Sequence, residues 1–212
     1  MSIRRNPVLL NRYIAPGIAE FSICDLPDIK AEHPQADYWL ANHFLNTVFR
    51  AEYAGKHRQY ALNIIFRAQA CFDQYHQARD RTLQYLEQSD PDNPNSRIYY
   101  AAITTWEACF LNLQTFVDVL NRLTGKKIFE KADDSPDQRT YSIANTIKHW
   151  SSSICLDEHH DDDTIPLWLT NTGFRTRTEN LAYVEFAALI RESAVAAESL
   201  VDPYEHTKKA DD

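Results

Sequence analysis

The chain has 212 residues, with 22 Lys and Arg against 30 Asp and Glu, for a formal net charge of −8. That balance argues against a broad nucleic-acid footprint, although it leaves room for a local basic groove. With 4 Gly and 9 Pro a turn-rich sandwich or barrel is disfavoured, and an apolar fraction of 44% excludes a wholly disordered chain.

No apolar run approaches the ~20 residues that a membrane-spanning helix needs. Arg4 and Arg5 are not followed by an uninterrupted apolar segment, so no signal peptide is expected. Cys24, Cys71, Cys109 and Cys155 are widely spaced and none stands in a C-x-x-C pair. Free thiols in a reducing cytoplasm fit this spacing better than a disulfide framework or a zinc site.

Pro7, Pro16, Pro27 and Pro34 punctuate the first 34 residues and predict an irregular arm with one short helical turn. A single helical-bundle domain is expected over 35–202, followed by a polar tail over 203–212. Tyr38, Leu40, Ala41, Phe44, Leu45, Val48 and Phe49 recur at helical spacing up to Gly55. A second helix over 56–88 places Ala61, Ile65, Ala68, Phe72 and Tyr75 on one face. After Ser89-Asp90-Pro91-Asp92, Asn93 is placed to cap a third helix with Pro94 at its first position. That helix, over 95–124, carries the strongest pattern: Tyr99, Ile103, Trp106, Phe110, Leu113, Val117 and Leu120, widened by Ala102, Cys109, Phe116 and Leu123. So broad a face suits the central helix of a bundle, and Gly125 follows as its C-cap.

Ser135-Pro136-Asp137-Gln138 reads as a helix start, with Ser135 capping, Pro136 at the first position and Gln138 closing a capping box. This helix is expected to reach about residue 150. A loop with the run Asp157-Glu158-His159-His160-Asp161-Asp162-Asp163 follows. Leu167–Thr170 and Phe174–Thr176 flank Asn171-Thr172-Gly173 as a hairpin, the only strand signal in the chain. Thr176-x-x-Glu179 reads as a second capping box, opening a last helix with Tyr183, Phe186, Ile190, Ala194, Ala197 and Val201 inward. The expected fold is therefore all-α: a helical bundle of about five main helices with a small β-hairpin before the last.

Phosphate-loop, dinucleotide and hydrolase-elbow motifs are absent from the sequence. The acidic run at 157–163 has ligand types for a cation, yet adjacent loop residues rarely converge on one ion, so it reads first as a solvated loop. Asp73-x-x-His76 has the form of half a di-iron carboxylate pair, but no second such pair stands at a matching place. Glu107 flanks the apolar stripe of the central helix, as a salt-bridged rim residue or as one facing an inter-helix groove. Neither a metal nor a cofactor is expected.

The most informative segment is Ala144-Asn145-Thr146-Ile147-Lys148-His149. Asn145 and His149 are four apart and share one helix face. Lys148 and His149 fall in the last expected turn, where cations interact well with the helix dipole. His149 there is a candidate general acid or base, with Asn145 orienting it or a phosphate.

This segment, with the helices around it over 95–201, resembles the HEPN superfamily. The resemblance implies an all-helical, dimeric bundle of the kind found in prokaryotic defence and toxin–antitoxin systems. Its ribonuclease members carry an Arg, a polar residue, three more positions and then His, and they work without a metal. Here Asn145 and His149 match the polar residue and the His, while the Arg position holds Ala144. Arg139 lies about 15 Å away along a helix and roughly 80° around it, a poor substitute within one chain. The resemblance therefore points first to a non-catalytic dimeric binding or regulatory module with an RNA or protein partner. Its groove would hold Asn145, Lys148, His149 and Glu107. The alternatives are a metal-independent endoribonuclease using His149, and a carboxylate–histidine metal protein using Asp73, His76 or the acidic run.

Overall fold

The computed structural model describes residues 6–48, 55–89, 94–129, 133–156 and 164–201. Six helices and one small sheet follow in the order α1 (Pro7–Tyr13), α2 (Trp39–His43), α3 (Gly55–Gln88), α4 (Ser96–Thr124), α5 (Pro136–Cys155), β1 (Trp168–Leu169), β2 (Gly173–Arg175), β3 (Asn180–Ala182) and α6 (Tyr183–Val201). None of these helices is long and apolar enough to cross a membrane.

The two long helices α3 and α4 form the frame. At their crossing Cys71 and Cys109 contact each other's backbone carbonyls, with Sγ–O distances of 3.7 and 3.4 Å. Small side chains there let the two helices approach closely, and both cysteines are free thiols. Further along the seam Trp106 donates from Nε1 to Thr82 Oγ1 at 2.9 Å, and Thr82 passes its own proton to the Ala78 carbonyl at 2.8 Å. A fully buried indole N–H needs such a partner.

The expected stripe of α3 is buried as the 3.6-residue period requires; that of α4 is buried from Tyr99 to Phe116, while Val117, Leu120 and Leu123 are only partly covered. Its N-cap differs from expectation. Asn95 accepts from the Ile98 N–H at 3.3 Å, so Asn95 caps and Pro94 precedes the helix; Asn93 lies outside the described residues. Gly125 ends α4 at φ 67°, the left-handed conformation that favours glycine.

The helix expected up to Gly55 is not a regular α-helix over 36–48, and residues 49–54 lie outside the described residues. A 3₁₀ turn at Ala36–Tyr38, the short α2 and a π-helical turn at Phe44–Val48 replace it. Trp39 and His43, four apart, are the residues that turn inward, while Tyr38, Phe44 and Leu45 are exposed. Thr47 explains the change of pitch, since its Oγ1 bonds the His43 carbonyl at 2.6 Å and lies 2.7 Å from His43 Nδ1.

The proline-punctuated arm is packed rather than free. Asn6 caps α1 with Pro7 at its first position, and Ala15, Ile18, Phe21, Leu26 and Ile29 are all buried. Phe21 stacks on Tyr85 at 5.7 Å. Tyr75 donates to the Pro27 carbonyl at 2.8 Å and Arg79 to the Leu26 carbonyl at 3.1 Å. Glu32 pairs with Arg191 at 2.7 Å and His33 with Glu198 at 2.9 Å, so the arm straps its own α3 and α6.

Ser135 caps α5 as expected, accepting from the Gln138 N–H at 3.2 Å. Gln138 does not close a capping box; its side chain donates to Ser142 instead. The helix also continues one turn past residue 150. The hairpin is present with a third strand added, giving an antiparallel sheet of order β1-β2-β3. Thr176-x-x-Glu179 does not start a helix. Thr176 Oγ1 accepts from the Thr178 and Glu179 N–H groups in the turn between β2 and β3. α6 begins at Tyr183, where Glu185 reaches back to the Ala182 N–H at 2.9 Å.

The sheet plugs the core. Phe174 of β2 meets Trp106 and Phe110 of α4 and Tyr183 and Phe186 of α6 with ring centroids 4.7 to 5.2 Å apart. Gly173 makes this possible: a Cβ there would collide with the Leu181 carbonyl and sit 2.9 Å from Ala182 Cα.

Candidate functional site

α5 lies antiparallel against α4, and the two are joined by an amide pair. Gln114 Nε2 donates to Asn145 Oδ1 at 2.8 Å, with Gln114 itself 7% exposed. The Asn145 carbonyl is therefore spent on structure. Lys148 and His149, one turn on, are exposed, and neither makes a hydrogen bond or ion pair among the described residues. Ala144, at the position of the motif's Arg, is fully buried in the core and lies about 140° around the helix from His149. Arg139 is committed elsewhere: it pairs with Glu185 at 2.7 Å and donates to the Asn180 carbonyl at 2.8 Å, tying α5 to the sheet and to α6.

Glu107 stands two helical turns before Gln114 and therefore within about 20° of the same face of α4. It is half-buried, and burial alone pushes its carboxyl above the ordinary range. It makes no ion pair or hydrogen bond among the described residues. The fold thus joins Asn145 to Gln114 and puts Glu107 on the same helix face as Gln114. It does not bring Glu107 or Asn145 into contact with His149.

Asp73 and His76 are half-buried. Burial, then the Asp37 charge, raises the Asp73 carboxyl, and burial lowers the imidazole of His76. The His76 ring packs edge-on to Phe72 at 4.7 Å and to Tyr75 at 5.4 Å, and its Nε2 is buried without a hydrogen bond. No group of three His, Cys, Asp or Glu side chains that could hold a metal occurs among the described residues. The acidic run 157–163 lies outside them.

A further feature has no counterpart in the sequence pattern. Between α4, α5 and α6 lies a partly open pocket of about 90 Å³ with walls of Leu113, Phe116, Val117, Leu120 and Leu189. A void of this size holds several waters or a small organic group. Polar side chains interrupt the apolar lining: Gln114 from α4, Asp137, Thr140 and Tyr141 from α5, and Ser193 and the exposed Glu192 from α6. Thr140 is 4% exposed, and its Oγ1 has no hydrogen-bond partner. Burial raises the Asp137 carboxyl above its ordinary value. Glu192 is raised by burial and then by the charge of Asp137. Gln114 lines the same cavity, so its bond to Asn145 connects the cavity to the α5 motif.

Comparison with family models, with curated proteins and with solved structures gives no match. The function must therefore be read from this geometry.

Proposed function

We propose that the chain is a HEPN-like, non-catalytic binding module that works as a dimer, in the setting of prokaryotic defence or toxin–antitoxin regulation. The observation that carries this reading is the partly open apolar pocket between α4, α5 and α6, beside which the Thr140 hydroxyl is buried without a hydrogen-bond partner. Buried polar groups are almost always paired. The motif residues support binding over catalysis. Asn145 is held by Gln114, the Arg position is buried Ala144, and Arg139 is locked to Glu185. His149 thus lacks the fixed cation that stabilises charge on a scissile phosphate.

The helix order long α4, capped α5 and amphipathic α6 agrees with the resemblance over 95–201. A dimer is supported by α6, where Val184, Ala188 and Val195 are exposed within about 40° of one another. Such a face, with the Arg191–Glu32 pair between Ala188 and Val195, is suited to cover by a second copy or by a protein partner.

The test is RNA cleavage in EDTA by wild type and His149→Ala, with the mass in solution measured by sedimentation. The expected result is no cleavage by either protein and a mass twice that of the chain. Cleavage abolished in His149→Ala would replace this reading with the metal-independent ribonuclease. A monomer at micromolar concentration would remove the HEPN-like basis.

A further inference from the structure

Charge is unevenly spread over the two long helices. Over 55–72, α3 carries Lys56, Arg58 and Arg67 and no acid. Over 108–127, α4 and the residues after it carry Arg122, Lys126 and Lys127 against Asp118 alone. Six cations against one acid give these stretches +5 on a chain of −8, so everything else sums to −13. The contacts Arg67–Asn112, Cys71–Cys109 and Thr82–Trp106 show that α3 and α4 run antiparallel, which brings both stretches to one end of the pair. None of the six cations forms an ion pair among the described residues, not even Arg122 with Asp118 four positions before it. Lys56 and Arg58 also sit in the first turn of α3, at the positive end of its dipole, where no acid offsets them.

An open groove of about 510 Å³ follows the seam at this end and is lined by α3 and α4 alone. Lys56 and Tyr60 line it from one helix, Val119 and Arg122 from the other. Lys56, Tyr60, Asn63 and Arg67 lie within about 60° of one another on α3 and span about 16 Å along it. Arg67 is fixed by its Nη1 bond to Asn112 Oδ1 at 2.6 Å, and its guanidinium lies 5.2 Å from the ring of Phe66, which is 46% exposed.

An occupant of this groove has to be anionic, confined to its length, and able to touch Tyr60, Val119 and Phe66. A free phosphate offers no apolar contact. A nucleic-acid strand carries charge along its whole length, and past about 16 Å it meets the acidic remainder of the protein within a Debye length of about 8 Å. An amphipathic helix meets all three conditions. Glutamates three or four positions apart share one face, apolar residues take the next, and a helix lies naturally between two packed helices.

We propose that the α3–α4 groove is a docking surface for an acidic amphipathic helix of a partner protein. Its carboxylates pair with Lys56, Arg67 and Arg122, and its apolar face covers Tyr60, Val119 and Phe66. This surface is separate from the α4–α5–α6 pocket and goes beyond the reading above.

The experiment is fluorescence anisotropy of the full chain at pH 7 with three labelled probes. These are a synthetic helix with a glutamate face and a leucine face, the same peptide with glutamine for glutamate, and single-stranded oligouridylate. Wild type is compared with Lys56→Gln, Arg122→Gln, and with Arg97→Gln, Arg175→Gln, which makes the same change in net charge at exposed residues away from the groove. Circular dichroism checks both folds. The glutamate peptide is expected to bind wild type about tenfold or more tighter than either other probe, and less tightly as salt rises. Its affinity should fall about fivefold or more in the groove variant, the effect of losing two interfacial ion pairs, and stay within about twofold in the control. Equal losses in both variants would assign the binding to net charge and overturn the proposal. Oligouridylate binding as tightly as the peptide would overturn it in favour of nucleic acid, and no binding of the glutamate peptide would overturn it outright. A change of mass in solution confined to the groove variant would give the groove to a second copy of the chain, which overturns the proposal and leaves the dimer standing.

Discussion

Thr140→Val tests the central observation directly. The substitution keeps the β-branch and the shape of the side chain, so it opens no cavity and changes helix propensity little. It removes a hydroxyl whose Oγ1 is buried without a partner. Leaving such a hydroxyl unbonded costs about 1–3 kcal/mol in folded proteins. Thr140→Val should therefore stabilise the fold by about 1–2 kcal/mol, or about 2–8 °C in Tm for a domain of this size. The matched control is Thr82→Val. Thr82 is as deeply buried, yet its Oγ1 both donates to the Ala78 carbonyl and accepts from Trp106 Nε1. The same chemical change there strands the indole N–H and should destabilise by about 1–3 kcal/mol. Thermal and urea melts of the two variants beside wild type make the assay. Opposite signs support an orphaned hydroxyl retained for something other than stability. A Tm for Thr140→Val at or below wild type would mean that the hydroxyl is already satisfied in the free protein, and the argument for a ligand there would collapse.

Three further outcomes are expected. Glu107→Gln should stabilise at neutral pH and lose that advantage in acid. Burial raises the folded carboxyl above its ordinary value of 4.5, so the stability it contributes is complete below that value and is lost as pH rises through the folded value. Melts from pH 4 to 8 should show the two proteins diverging upward, and a constant offset would refute the cause assigned. Gly173→Ala should cost about 1–3 kcal/mol, because the new methyl has no room against Leu181 and Ala182. Tryptophan fluorescence should shift as Phe174 withdraws from Trp106, and an unchanged spectrum with unchanged Tm would count against the β2–β3 register. Ser135→Ala should lower stability by about 1 kcal/mol through loss of the α5 cap, measured as a Tm drop of about 2–4 °C; no drop would mean the cap is replaced.

The long helices were legible because their signal is periodic and redundant. Seven apolar positions on α4 all point one way, and a single misplaced residue cannot hide the stripe. The region 35–48 defeated the same approach because two sets of aromatic residues compete within it. Tyr38, Phe44 and Leu45 are as apolar as Trp39, yet Trp39 and His43 are the buried pair. Periodicity ranks faces by hydrophobicity, and here a polar imidazole with a hydroxyl partner at Thr47 took the inner place. The third strand was missed for a related reason. Thr-x-x-Glu is a local device that satisfies backbone N–H groups three residues on, and it serves a turn between strands as well as a helix start.

The candidate site divides along the same line. The α5 motif is contiguous, so the sequence located it, but its meaning depends on what faces each residue. Only the packed helix shows that position 144 is in the core and that Asn145 is bonded across to Gln114. The cavity gave no signal because none of its polar residues is unusual by itself. An Asp in the first turn of a helix complements the dipole, a Thr in a helix bonds locally, and a Glu on an amphipathic helix faces water. Asp137 and Thr140 are separated from Glu192 by the end of α5, an acidic run and the whole sheet. Packing is what sets a half-buried Asp137, an unbonded Thr140 hydroxyl and an exposed Glu192 beside one apolar pocket. The hydroxyl alone carries a cost that a core built only for stability would have shed.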